Sequence, residues 1–179
     1  KSLTLSIDIG LQRQAFEALG DHSGALVALN PNDGSILAFV SKPGYDPSKF
    51  VLGFDQASWS ELRNSPDRPL VNRASSGVYP PGSTLKPFLA LAGLEENVRS
   101  PDWSMWDPGF FSIPGSKHKF RDWKKEGHGQ VNLHKAIVES VDTYFYKLAH
   151  ELEIDKIHTY LTLFGFGQKT GIDLPTESI

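Results

Sequence analysis

The chain has 179 residues, enough to bury one sizeable core. With 39% hydrophobic and 22% charged residues and a net charge of -3, it has the composition of a globular domain and none of the basic field that nucleic-acid binding requires. It contains no cysteine, which excludes disulfides, thiol catalysis and thiolate-ligated metals. No apolar run approaches the roughly 20 residues of a membrane span, and no signal-peptide pattern opens the chain, so any anchor is expected to lie outside it.

Residues 3–9 alternate apolar and polar side chains, which predicts a half-buried strand. Leu11, Ala15, Ala18 and Leu19 then recur at helical spacing, with Gly20 placed to end the helix. Two apolar runs, residues 25–29 and 36–40, flank Asn30-Pro31-Asn32-Asp33-Gly34, a hairpin signal in which Gly34 supplies the left-handed residue. Both arms are apolar on both faces, as strands inside a layered sheet are. Residues 42–82 are irregular and rich in Pro, Ser, Asn and Gly, which predicts a long loop.

Residues 83–98 predict a helix with Leu85, Phe88, Leu89, Ala92 and Leu94 on its buried face. A second loop is expected over residues 101–131, which carry Trp103, Trp106 and Trp123. Two helical pieces follow, about 133–152 and 155–164, with Ile137, Phe145, Leu148, Leu152, Ile157, Leu161 and Phe164 on their apolar faces. Only two or three strands can be placed, too few for an independent sheet. Further strands are therefore expected beyond Ile179.

Ser83-Thr84-Leu85-Lys86 is a Ser-x-x-Lys pattern. A pair of residues fixed at i and i+3 arises by chance about once in a chain of this size, and Ser116-Lys117-His118-Lys119 is a second match. Context separates them: the first follows Tyr79-Pro80-Pro81-Gly82 and opens an amphipathic helix, the second sits in a predicted loop. On one helix face the Lys86 amine lies near the Ser83 hydroxyl. A hydroxyl is a weak nucleophile until a base takes its proton, and a lysine is a base only when neutral, which burial and the positive end of a helix dipole both favour. The Ser83 N–H at a helix start could also face an oxyanion. Pro87 in the first turn is a local conflict of the kind that gathers at functional sites. The tetrapeptide alone leaves a second reading open, in which Ser83 is an N-cap and Lys86 a solvated charge.

A second element, Ser140-Val141-Asp142, lies between two helical segments. Together, Tyr79-Pro80-Pro81-Gly82-Ser83-Thr84-Leu85-Lys86-Pro87 and Ser140-Val141-Asp142-Thr143-Tyr144-Phe145-Tyr146 resemble the class B penicillin-binding proteins, most closely their elongation-specific penicillin-binding protein 2 group. The Gly24–Val40 hairpin, Tyr45-Asp46-Pro47, Phe120-Arg121-Asp122-Trp123-Lys124 and the stretch from Gly165-Phe166-Gly167 through Thr170-Gly171-Ile172-Asp173-Leu174-Pro175 resemble the same group, so the likeness covers essentially the whole chain.

The resemblance implies an α/β (α+β) fold of the penicillin-binding and serine beta-lactamase type: an antiparallel sheet plus a helical subdomain, incomplete in this chain. The strand and hairpin region would be residues 1–42 and the helical subdomain residues 83–165. It implies a D,D-transpeptidase in which Ser83 is the nucleophile, Lys86 its base and Ser140 a proton relay to the leaving D-alanine. Asp142 stands where the wider family has Asn; a carboxylate there favours the ammonium form of Lys86 unless it is held away or the pair shares a proton. The implied partners are peptidoglycan stem peptides, beta-lactams, a RodA-like membrane glycosyltransferase and an MreC-like scaffold, at the periplasmic face of a bacterial inner membrane. No cofactor is implied.

Lys169-Thr170-Gly171 spells the family's third motif, but it directly follows a helix end and Gly165-Phe166-Gly167, where the family has a turn. It is therefore expected to be surface loop, the true motif to lie elsewhere, and this piece alone to be inactive. Asp107, Asp122 and His128 fall where some group members resemble a zinc site, but their cysteine ligand corresponds to Val141 here, so no metal is expected. Two rival functions remain. A beta-lactamase or beta-lactam sensor would differ in the fate of its acyl-enzyme, and a non-catalytic interaction module would leave the Ser83 and Ser140 hydroxyls far apart.

Overall fold

The computed structural model describes residues 2–174 and 177–178. They form two compact units, one of residues up to Tyr79 together with those from Gly171 on, the other of Pro80–Thr170.

The first unit opens on extended chain rather than the expected strand. Asp8 caps helix α1 (Ile9–Ala18) by accepting from Leu11 N at 2.9 Å. Strand β1 (Gly24–Leu29) pairs antiparallel with β2 (Ile36–Lys42). One backbone bond and one side chain take the place of a third strand over residues 3–9. Asp8 N donates to Leu37 O (2.9 Å), and the Gln12 amide bonds both Phe39 N (2.7 Å) and Phe39 O (3.0 Å), so a helix residue takes the edge bonds a strand would have made. Leu3 and Leu5 stay exposed. Gly34 closes the hairpin at φ +74°, as its sequence predicts. Ala15, Ala38 and Val40 form a small core with Leu11, Leu19, Leu26 and Ala28 packed against it. The expected loop over residues 42–82 contains three short helices, α2 (Ser48–Leu52), α3 (Gln56–Asn64) and α4 (Arg73–Ser76). The last two have clear start signals, because Asp55 and Asn72 accept from Ser58 N and Ala74 N.

In the second unit a 3₁₀ turn (Gly82–Leu85) leads into α5 (Lys86–Glu95). The expected loop of residues 101–131 is instead built on short strands: β3 (Ser104–Asp107), β4 (Phe110–Phe111), β5 (Phe120–Arg121) and β6 (Gly129–Asn132). They pair β3 with β6 and β4 with β5, and four-residue strands leave too little period to read. Helix α6 (Leu133–Val138) and helix α7 (Asp142–Leu163) follow. Glu153 breaks α7 at φ 65°, ψ 165°, between the two helical pieces that the periodicity separates. Ala90 and Ala92 from α5 and Tyr144, Phe145, Leu148 and Leu152 from α7 make the core, with Val131, Ala136 and Val141. Full burial of a leucine such as Leu148 or Leu152 contributes roughly 2 kcal/mol. Ile137, expected on the buried face, is 40% exposed; the residue α6 buries is Ala136.

Candidate active site

Ser83 lies in the 3₁₀ turn, entered through Gly82 at φ +56° and held by Thr84 Oγ1 donating to Pro81 O at 2.6 Å. The turn resolves the conflict at Pro87. Helix α5 begins only at Lys86, so Pro87 occupies its first turn, where no intrahelical donor is lost. The N-cap of α5 is Leu85, not Ser83, so the cap reading of Ser83 does not describe this chain. Ser83 is exposed, whereas Lys86 is 8% exposed with its ammonium 5.5 Å from the Phe145 ring centre.

Ser140 owes its place to the end of α6. Ser140 N donates to Ile137 O (3.2 Å) and Val141 N to Ala136 O (2.9 Å), the bond pair of a Schellman C-cap. The left-handed position of that motif, usually glycine, is Ser140 at φ 52°. For a residue with a Cβ this conformation costs of order 1 kcal/mol or more. It turns both the carbonyl and the hydroxyl of Ser140 toward Lys86, whose Nζ donates to Ser140 O (2.7 Å), Ser140 Oγ (3.0 Å) and Asp142 Oδ1 (2.6 Å). Ser140 Oγ in turn donates to Ser83 Oγ at 3.0 Å.

The four residues singled out in the sequence thus meet within one unit. Lys86 reaches Ser83 through Ser140, a line that the i, i+3 argument does not describe. Asp142 is not held away from Lys86: the 2.6 Å contact is an ion pair with side-chain exposures of 10% and 27%. Three acceptors on Nζ match the three donors of an ammonium. Burial, then the charges of Asp142 and Asp122, raise the Tyr146 phenol above its ordinary value, consistent with an anionic patch beside α7.

Asp107, Asp122 and His128 also gather: all are buried, with one ligand atom from each within 4.8 Å of the others. Hydrogen bonds already hold most of their polar atoms. Asp107 accepts from Gly109 N (2.8 Å) and His128 N (2.8 Å) and pairs with His128 Nδ1 (2.7 Å). Asp122 accepts from Lys124 N and Thr143 N, both at 3.1 Å. The unbonded imidazole nitrogen, Nε2, has Glu139 Oε2 at 3.9 Å. The residue corresponding to a thiolate ligand is Val141, fully buried and without a donor atom. Among the described residues the set thus lacks a fourth protein ligand, and its three residues are joined as a hydrogen-bonded cluster. Burial pushes the Asp107 carboxyl up, but the bonds from His128 and Gly109 outweigh it and hold the group below its ordinary value.

The two other motif matches stay apart from this site. Residues 168–174 form no strand and Lys169 is exposed, as the surface-loop reading requires; Pro175 lies outside the described residues. Ser116 lies in exposed chain between β4 and β5, where its hydroxyl accepts from His118 N at 3.1 Å. Sequence reasoning places Asp122 only in the metal set and assigns Trp123 no role. The structure puts both on the chain around Ser140: Asp122 Oδ2 accepts from Thr143 N, and Trp123 Nε1 donates to Glu139 O at 3.1 Å.

A buried lysine joined through one serine to a second, exposed serine is the arrangement a serine acyl-transfer enzyme requires. Residues 24–179 match the penicillin binding protein transpeptidase domain family, and the chain belongs to that family. It is 53% identical over 178 residues to the peptidoglycan D,D-transpeptidase MrdA of Acinetobacter baumannii, covering 98% of this chain and 26% of that protein. The structure of Pseudomonas aeruginosa PBP2 in complex with WCK 5153 superimposes with a TM-score of 0.92 at 50% identity, over 97% of this chain and 40% of that one. The Helicobacter pylori PBP2 in complex with MreC gives 0.93 at 42% identity, over 99% and 33%. The chain thus spans about a quarter of the length of the curated relative.

Proposed function

We propose that this chain carries the acylation half of a peptidoglycan D,D-transpeptidase of the elongation type. The observation that carries the reading is the line Lys86 Nζ, Ser140 Oγ, Ser83 Oγ, with 3.0 Å at each step. Lys86 passes a proton to Asp142 Oδ1 and becomes a base. Ser83 Oγ attacks the carbonyl between the two D-alanines of a stem peptide, and its proton moves through Ser140 Oγ to Lys86. The C–N bond breaks, and the same path returns the proton to the departing D-alanine amine. An amine of a neighbouring stem then attacks the ester carbonyl, the C–O bond to Ser83 breaks, and the serine regains its proton. Beta-lactams acylate Ser83 in the same way but leave no good route to resolution.

The Lys-Thr/Ser-Gly strand, which would complete the oxyanion hole and hold the substrate carboxylate, is supplied by the longer protein, so this piece alone is inactive. In that protein the reading places the domain at the periplasmic face of a bacterial inner membrane, with an MreC-like scaffold and a RodA-like glycosyltransferase as partners; the H. pylori PBP2 and MreC complex supports the first of these.

The test is fluorescent penicillin labelling of the whole protein. Wild type is expected to form a covalent adduct that decays slowly, and Ser83→Ala none. A labelled Ser83→Ala protein overturns the nucleophile assignment, and rapid hydrolytic loss of the label identifies a beta-lactamase instead.

A further inference from the structure

Helix α7 starts two residues after Ser140 without a cap of its own. Its N-cap position is Val141, which has no acceptor, so its first-turn N–H groups need partners from elsewhere. Asp122 provides one. Its carboxylate, 5% exposed as a residue, accepts from Thr143 N in a buried bond, and a negative charge at the start of the helical piece that runs from Asp142 to the break at Glu153 is also favoured by the helix dipole. Asp122 is itself fixed, since its N–H donates to Gly109 O (2.9 Å) and its other oxygen accepts from Lys124 N. The adjacent residue acts on the opposite side of the turn: Trp123 Nε1 donates to Glu139 O, the residue before Ser140. Trp123 also packs edge-on against His128, with ring centres 5.2 Å apart. The left-handed Ser140 is therefore held from both flanks by consecutive residues of one loop.

We propose that Asp122 and Trp123 are positioning residues, a two-point clamp that keeps the strained Ser140 turn in the conformation that aims its hydroxyl and carbonyl at Lys86. The inference rests on the proton path assigned above, because the clamp matters to chemistry only if Ser140 does. Among the described residues neither Asp122 nor Trp123 has a hydrogen bond or ion pair to Ser83 or Lys86. Loosening the clamp therefore acts on the chemical step rather than on ligand binding.

The experiment measures acylation of the whole protein by a fluorescent penicillin, separating the rate constant at saturation from the half-saturating concentration. A hydrogen bond contributes about 0.5–1.5 kcal/mol net, so each lost contact should slow the saturated rate by about two- to tenfold. Asp122→Ala is expected at the upper end. Trp123→Phe, which removes only the indole N–H from a partly solvated contact, is expected at the lower end. Asp122→Asn keeps an acceptor for Thr143 N and should recover most of the rate. The half-saturating concentration should stay within about twofold throughout, as expected when only transition-state positioning is lost.

Rates are normalised to the fraction of protein labelled at the endpoint, which removes any loss of folded material, and Asp122→Asn with Trp123→Phe carry the test if Asp122→Ala does not fold. Saturated rates equal to wild type in both Asp122→Ala and Trp123→Phe, or in both Asp122→Asn and Trp123→Phe where Asp122→Ala fails, overturn the clamp. So does loss of acylation on EDTA treatment that zinc restores, since a metal would then hold the turn. A labelled Ser83→Ala protein overturns the underlying proton path instead, which keeps the two failures distinct.

Discussion

Gly93 and Leu148 set how closely α5 approaches α7, and therefore how closely the helix that starts with Lys86 approaches the helix that starts with Asp142. A Cβ built on Gly93 would stand 2.7 Å from Leu148 Cδ1 and 3.2 Å from Cδ2, and Leu148 is packed in the core at 1% exposure. Gly93→Ala gains about 1 kcal/mol of helix propensity but incurs about 1–3 kcal/mol of overpacking, for a net loss of about 1 kcal/mol. Leu148→Ala empties a buried site and should cost about 3 kcal/mol. In the double variant the new methyl enters that space, the clash is gone and the propensity gain remains, so the pair should cost only about 2 kcal/mol against about 4 for the sum. Urea unfolding of the four proteins, at constant m, reads these differences. The decisive result is a change of sign: Gly93→Ala destabilises wild type and stabilises Leu148→Ala. Stabilisation of wild type by Gly93→Ala, or additive losses, would show that the methyl meets no resistance and refute the close-packing argument.

Two further outcomes follow from buried polar groups. The Tyr144 hydroxyl is buried without a hydrogen-bond partner among the described residues, so Tyr144→Phe should be neutral or stabilise by up to about 1 kcal/mol in thermal melts. Burial raises this phenol above its ordinary value of 10.0, so the unfolded chain ionises first. Wild type should therefore keep its stability below about pH 10 and lose it as pH rises further, a loss that Tyr144→Phe should reduce; identical alkaline curves would exclude the effect. Arg99 is 8% exposed, stacked 3.6 Å over the Trp103 ring and ion-paired with Glu151. Glu151→Gln leaves that guanidinium without its counter-charge and should cost about 2 kcal/mol, less than for a fully buried pair because Glu151 is 29% exposed. A change under about 0.5 kcal/mol in urea would show the pair to be energetically idle.

What could be read beforehand follows from the range of each signal. The hairpin announces itself because two apolar runs and a Pro-Asn-Asp-Gly tip are local, and Ser83 does because its tetrapeptide follows Tyr79-Pro80-Pro81-Gly82. Residues 3–9 mislead for a local reason as well: the alternation is real, but Asp8 is used as a helix cap and Gln12 occupies the strand edge. Strands β3 to β6 pair residues up to 28 positions apart in runs of two to four, too short for any period to emerge. The link between Lys86 and Ser83 runs through Ser140, 54 positions from Lys86, which a local i, i+3 spacing does not reveal. The bonds from Asp122 and Trp123 to the Ser140 turn span 21 and 16 positions, and only the missing cap at Val141 hints at them.

The serine at the end of α6 has a consequence for anyone redesigning this domain. Position 140 has the backbone of a glycine and the side chain of a serine. A sequence selected for the comfort of this backbone would place glycine there, and the substitution would relieve the left-handed strain of the isolated fold. It would also delete the middle member of the line from Lys86 to Ser83. A stability screen and an activity screen should therefore disagree most sharply at this residue, and that disagreement is itself a way to find such positions in chains whose chemistry is not known.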